Sequence, residues 1–223
     1  MKVSVLRFPG TNCEFDTQYA FEKLGYSVDI IWHEDNSLPS DTKLVVVPGG
    51  FSYGDYLRSG SIARFSPIMR AVEEYANNGG KVLGICNGFQ ILTEIGLLPG
   101  ALKRNNNLHF ISKYQYLSVE NSDNSFLNAY SDSDILNIPI AHADGNYYID
   151  DEGLKELELN SQILLRYCDE NGKRVIINGS VTSIAGICNK DKNVFGLMPH
   201  PERAIEDILG SIDGIKMLKG FNK

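Results

Sequence analysis

Short β-rich apolar runs recur through the first half of the chain. Lys2–Leu6, Ser27–Trp32, Lys43–Val47 and Lys81–Ile85 each predict a strand. Leu44–Val47 is apolar without interruption, as expected of a strand covered on both faces. Helical patterns lie between these runs. Ile62, Phe65, Met69, Val72 and Ala76 step by 3, 4, 3 and 4, which predicts one buried stripe of a helix ending at Asn77-Asn78-Gly79-Gly80. A second helix is predicted over Cys13–Leu24, stopped at Gly25, and a third over Gly88–Ile95, closed by Gly96. This alternation predicts an α/β fold: a mostly parallel central sheet with helices on both faces.

The second half reads differently. His109–Val119 and Arg174–Leu197 are successive β-type runs broken by turn residues such as Asn171-Gly172 and Asn189–Lys192. They predict antiparallel hairpins added to the main sheet. From Glu202 onward the pattern returns to helix. No internal repeat or linker is visible, and the only low-complexity tract is Asn105–Asn107. At 223 residues, a single domain spanning 1–223 is expected.

Composition narrows the function. With 43% apolar and 22% charged residues the chain is an ordinary globular one. Lys and Arg number 21 against 28 Asp and Glu, a net charge of −7, which argues against nucleic acid and anionic membrane surfaces as partners. No stretch approaches the ~18 apolar residues of a membrane span. Met1–Gly10 reads as a strand rather than a secretory leader. Cys13, Cys86, Cys168 and Cys188 are scattered, without a CxxC. Neither HxH nor HExxH occurs, so no metal site is expected. A cytoplasmic, reduced protein fits this cysteine usage.

The sharpest local feature is Gly84-Ile85-Cys86-Asn87-Gly88. A predicted strand ends at a cysteine, a predicted helix follows, and glycines sit at −2 and +2. A nucleophile elbow needs this arrangement, because small neighbours let strand and helix approach closely. The helix N-terminus also favours a thiolate. A buried, inert core cysteine is the competing reading. In Met198-Pro199-His200-Pro201-Glu202, each proline biases its predecessor towards an extended conformation. Residues i and i+2 then share a side, so Glu202 can reach the His200 imidazole. This gives a base with its own orienting carboxylate. The same segment also reads as the opening of a last helix at Pro201. His33, His109 and His142 show no partner pattern and read as structural. Gly49 and Gly50, after the third strand, let the backbone approach a ligand and aim N–H groups at it; alone they read equally as a plain turn. No GxxxxGK[ST] or GxGxxG occurs, so no nucleotide-phosphate loop is expected.

Taken together and in this order, Pro48–Gly50, Gly84–Gln90 (GICNGFQ) and His200–Glu202 (HPE) resemble the triad-type, class I glutamine amidotransferases, a flavodoxin-like family. RFPGTN at Arg7–Asn12, GFSYGDYLRSGSIAR at Gly50–Arg64 and MPHPERA at Met198–Ala204 look like the members that supply ammonia to purine synthesis. The resemblance implies that Cys86 attacks the side-chain amide of L-glutamine, His200 shuttles the proton and Glu202 orients it. It implies oxyanion donors at Gly50 and Asn87, and contributions of Gly49 and Gln90 to holding the substrate. It implies no cofactor in this chain. ATP and Mg²⁺ would sit on a separate synthetase subunit that acts on formylglycinamide ribonucleotide, and a small third subunit would bridge the two. Relatives commonly read His-Gly-Glu-Gly where this chain has His142-Ala143-Asp144-Gly145, so no role is carried over to that loop. An amidotransferase subunit of another pathway, and a cysteine hydrolase or peptidase-like protein on a related sheet, are the alternative readings.

Overall fold

Burial of the apolar runs decides the architecture. In the computed structural model, which describes residues 1–222, they form strands β1 (Lys2–Arg7), β2 (Ser27–Trp32), β3 (Leu44–Val47) and β4 (Lys81–Ile85). Every residue of β3 is buried, because helices cover the sheet on both sides there. Helices α1 (Glu14–Lys23), α2 (Pro67–Asn77) and α3 (Asn87–Glu94) make the crossovers between and after these strands. Gly25 and Gly96 have φ of 89° and 77° and terminate α1 and α3.

The remaining elements are β5 (Ala101–Lys103), β6 (Ile111–Val119), β7 (Ile135–His142), β8 (Asn146–Tyr148), α4 (Asp151–Leu159), β9 (Ile163–Cys168), β10 (Ile184–Cys188), β11 (Val194–Leu197) and α5 (Gly214–Lys219). One nine-stranded sheet runs β2-β1-β3-β4-β11-β10-β9-β6-β7, and β5 pairs separately with β8. The pairs from β2 to β11 are parallel. Those from β11 to β7 are antiparallel. The hairpins expected from the sequence therefore continue the main sheet. In the register of the parallel half, Val47 lies opposite Gly84 and Leu197 opposite Ile85. The C-terminal ends of β3, β4 and β11 thus open onto one edge, where ligand crevices form in such sheets.

Two expectations are corrected. The helix read from Ile62 is interrupted: Ala63–Phe65 is a single 3₁₀ turn, Ser66 is extended at φ −63° and ψ 138°, and α2 starts at Pro67. Proline disfavours the helical region for the residue before it, so the chain leaves the helix at Ser66 and restarts with Pro67 in the first turn. Phe65 consequently points outward and is 76% exposed, while Ile68, Met69, Val72 and Ala76 form the buried stripe. The segment from Glu202 is not one helix either. Pro201–Arg203 is a 3₁₀ turn, and only the short α5 follows. Strands β5, β7, β8 and β9 and helix α4 had no counterpart in the sequence reading, and the run read from Arg174 forms strand only from Ile184 onward, in β10 and β11. Helix α4 is capped by Asp150, whose carboxylate accepts from the Gly153 N–H at 2.8 Å.

The tightest approach in the fold is between β3 and α3. A Cβ on Gly88 would run into the Val47 carbonyl oxygen, main chain against main chain. Neither partner can rotate away. Gly88→Ala is therefore expected to cost about 2–3 kcal/mol. Thermal unfolding should show a Tm lower by about 5–10 °C; an unchanged Tm would contradict the close packing.

Candidate active site

Strand β4 delivers Cys86 and helix α3 begins at the next residue. Cys86 adopts φ 50° and ψ −104°, a conformation that L-residues rarely take. The turn is held because its neighbours lack side chains. A Cβ on Gly84 would lie 2.6 Å from Leu92 Cδ1 and 2.8 Å from the Gly88 carbonyl carbon. The Cys86 N–H donates to the Leu197 carbonyl at 2.8 Å, the last rung between β4 and β11. Its Sγ faces the Ala141 carbonyl at 3.6 Å and the side chain is only 6% exposed. At the start of α3, the first N–H groups have no intrahelical partner and point towards the crevice end of the helix.

His200 follows β11 by three residues. Its N–H donates to the Pro139 carbonyl of β7 at 2.8 Å, which fixes the backbone under the ring. His200 Nδ1 and Glu202 Oε1 are 2.6 Å apart, and both side chains are buried. The sequence placed these two on one side of an extended segment; the structure achieves the contact through the 3₁₀ turn Pro201–Arg203 instead. Because Glu202 takes the proton side of Nδ1, Nε2 is left free, and it has no hydrogen-bond partner. Burial alone would lower the basicity of His200. The Glu202 carboxylate and the Cys86 sulfur more than offset this and raise its pKa to about 10. An imidazolium beside the sulfur is thereby favoured at neutral pH.

Gly49 locates these groups relative to one another. A Cβ built on it would lie 2.8 Å from His200 Cε1, 3.5 Å from Cys86 Cβ and 3.2 Å from Cys13 Sγ. Sulfur, imidazole and Gly49 therefore share one crevice. Gly50, at φ 139°, bridges to Thr11, and a Cβ there would meet the Asn12 N–H at 2.7 Å. Asn87 Oδ1 accepts from the Ser52 N–H at 3.1 Å, and its Nδ2 donates to Gln90 Oε1 at 2.8 Å. Gln90 Nε2 donates to the Asp144 main-chain oxygen at 2.8 Å. Both ends of the Gln90 amide are thus engaged within the protein, so this residue shapes the crevice wall.

Several neighbours escaped the sequence reading. Cys13, at the start of α1, comes to the back of the triad. Its Sγ, a nitrogen of His200 and an oxygen of Glu202 lie within 4.8 Å of one another. Burial and the Glu202 charge push the Cys13 thiol up, and Arg203 Nη2 stands 3.1 Å from its sulfur. A protonated thiol beside a guanidinium does not suit a cation, so this cluster is a poor metal site. Asp55 and Ser59, within the Gly50–Arg64 segment, and His142 and Asp144, within the His142–Gly145 loop, also lie near this region, and the sequence reading gave none of them a role. All four cysteines are free and buried.

Comparison with known proteins agrees with this geometry. Residues 1–216 match the family model described as the CobB/CobQ-like glutamine amidotransferase domain. The chain is 68% identical over 221 residues to phosphoribosylformylglycinamidine synthase subunit PurQ of Sulfurimonas denitrificans, covering 99% of both. It is 66% identical over 221 residues to the protein of the same name from Wolinella succinogenes, again covering 99% of both. Among solved structures, a chain of PurLQS from Thermotoga maritima superposes with a TM-score of 0.89 at 41% identity, covering 99% of this chain and 97% of that one.

The raised pKa of His200 has a stability consequence. Between the ordinary value of 6.5 and about 10, the folded state holds a proton that the unfolded chain releases. That stabilisation is complete below pH 6.5 and is lost as pH rises through 10. Denaturant titrations should show wild type losing on the order of 2 kcal/mol more than His200→Gln across this window. Parallel pH profiles for the two proteins would refute the assignment.

Proposed function

The chain belongs to the CobB/CobQ-like glutamine amidotransferase family, and we propose that it is the glutaminase subunit of phosphoribosylformylglycinamidine synthase, acting as a single amidotransferase domain in purine biosynthesis. The observation that carries this reading is the buried His200–Glu202 pair set beside the strained Cys86 turn. The full-length likeness to the PurQ proteins supplies the pathway.

In this reading Cys86 Sγ, as thiolate, attacks the carboxamide carbon of L-glutamine. The negative charge moves to the amide oxygen, which the main-chain N–H groups of Gly50 and Asn87 receive. Each such donor contributes roughly 2.7–4 kcal/mol to the transition state. His200, charged at the start, passes its Nε2 proton to the leaving nitrogen, and ammonia departs from a γ-glutamyl thioester. Water then attacks the thioester carbon and gives a proton to the now neutral His200. Glutamate leaves and the thiolate–imidazolium pair is restored. Glu202 keeps the imidazole oriented and its cationic form stable through both halves. Gly49, which has no side chain to occupy the space between sulfur and imidazole, leaves room for the carboxamide.

Ammonia released into water at pH 7 is mostly protonated and loses its nucleophilicity. The product therefore needs a sheltered passage to the subunit that uses it. One relative of known structure is an assembly named PurLQS. The corresponding partners here are a large synthetase subunit, which binds ATP, Mg²⁺ and formylglycinamide ribonucleotide, and a small bridging subunit. Among the described residues no helix is long and apolar enough to cross a membrane. The reading places the chain in the cytoplasm.

The test measures glutamate released from glutamine by the assembled complex. Cys86→Ala should lower turnover by at least about 10³-fold. Peptide cleavage without glutamine hydrolysis would favour a cysteine hydrolase instead. Glutaminase activity should also rise at least about tenfold when the synthetase subunit is added; equal turnover with and without it would refute the coupling.

A further inference from the structure

Shortly after Gly50 the chain enters a conformation that side chains rarely take. Tyr53 has φ 53° and ψ 29°, and Asp55 and Leu57 follow at φ 54° and 70°. Left-handed backbone at a bulky residue is costly and persists only where the surroundings over-determine it. At Tyr53 they do. Its hydroxyl lies 2.9 Å from His33 Nδ1 and 2.9 Å from Ser66 Oγ. Its ring meets the His33 imidazole edge-on, with centroids 5.6 Å apart. With one hydrogen and two lone pairs, the phenol donates to one partner and accepts from the other.

Both partners are buried, and the local structure frees them for this contact. Ser66 stands before Pro67 in the extended conformation of a helix cap, where a serine hydroxyl ordinarily accepts from the first turn. Here the hydroxyl makes no such bond. His33, just beyond β2, serves instead: its carbonyl accepts from the Ile68 N–H of α2 at 3.2 Å. The Ser66 hydroxyl is left to Tyr53.

From Gly50 to Tyr53 each residue is pinned. Gly50 bridges to Thr11, and the Phe51 N–H donates to the Gly10 carbonyl at 3.1 Å. The Ser52 N–H donates to Asn87 Oδ1 and the Tyr53 N–H to the Pro9 carbonyl. The segments Pro9–Thr11 and Gly50–Tyr53 therefore hold each other. Asn87 ties the pair to the nucleophile helix, and the Tyr53 phenol ties it to the end of β2 and the start of α2. Among the described residues, the Gly50 N–H makes no main-chain hydrogen bond, so its direction is set by this turn alone.

An oxyanion donor must stand about 2.7–3.1 Å from the position where charge develops. Displacing it by about 1 Å costs roughly 10²-fold. We propose that Tyr53 is a positioning residue for the glutaminase step: its phenol, clamped between His33 and Ser66, fixes the left-handed turn that aims the Gly50 N–H at the oxyanion. This inference rests on the glutaminase reading. Tyr53 acts through the main chain of Gly50 and not on the substrate.

The experiment takes two readings of the site in the assembled complex. Glutamine turnover places charge on the amide oxygen. Alkylation of Cys86 by iodoacetamide forms a carbon–sulfur bond at a tetrahedral carbon, expels iodide and needs no oxyanion donor. Tyr53→Phe should lower kcat for glutamine by at least about tenfold, with KM changed less than about threefold. Its rate of Cys86 alkylation, followed by the mass of the labelled peptide, should stay within about twofold of wild type. Ser66→Ala, which removes only the hydroxyl, should lower kcat by at least about threefold in the same way, and it decides the question if Tyr53→Phe does not fold. Smaller losses in both variants, a loss carried by KM, or alkylation that slows in step with turnover would each overturn the positioning role and leave the functional reading standing. If the wild-type complex is labelled at Cys86 but hydrolyses no glutamine, the functional reading fails and the positioning role with it.

Discussion

The parallel pairing of β4 with β11 is the contact on which the site depends. Leu197 lies opposite Ile85, and the Cys86 N–H closes the ladder on the Leu197 carbonyl. Past that rung, one chain turns into helix α3 and the other into the Pro199–Glu202 turn. Sulfur and imidazole, remote along the chain, therefore leave the same sheet edge from adjacent strands. The antiparallel half of the sheet completes the arrangement. Its last strand, β7, offers Pro139 to the His200 main chain and Ala141 to the Cys86 thiol. A slip of one residue between β4 and β11 would send the two side chains to opposite faces.

Electrostatics then turns this placement into chemistry. Removed from water, a histidine loses its proton readily, as His142 does. His200 is equally buried and behaves oppositely, because Glu202 sits 2.6 Å from its Nδ1. The two histidines are held in different charge states: burial and the charge of His200 keep His142 neutral, while the Glu202 carboxylate keeps His200 charged. In so closed a site each charge acts strongly, and each unpaired polar atom is costly.

Much of the fold was legible because its signals are local. The boundaries of β2 and β4 follow the apolar runs, and α1 and α3 end at glycines that only a left-handed turn requires. Strand β7 was obscured. Its alternation is regular, with Leu136, Ile138 and Ile140 buried, but Pro139 argues against a strand, and it is tolerated there because β7 is a sheet edge, which only the assembled order reveals. The helix begun too early at Ile62 shows the opposite error: a 3.6-residue spacing continued across Ser66-Pro67, where backbone sterics prevail over periodicity.

For the site the division is similar. The amino-acid order by itself determined the two short-range devices, the glycine-flanked Cys86 turn and the His200–Glu202 pair, because each is built within a few residues by backbone sterics and direct reach. Tertiary structure alone decided that Cys13 packs behind the triad, that Gln90 is bonded to Asn87 and the Asp144 loop, and that Asp55, Ser59, Asp144 and His142 converge. These groups come from separate loops and strand ends whose meeting depends on sheet order and register, and long-range packing of polar side chains leaves no period in a sequence.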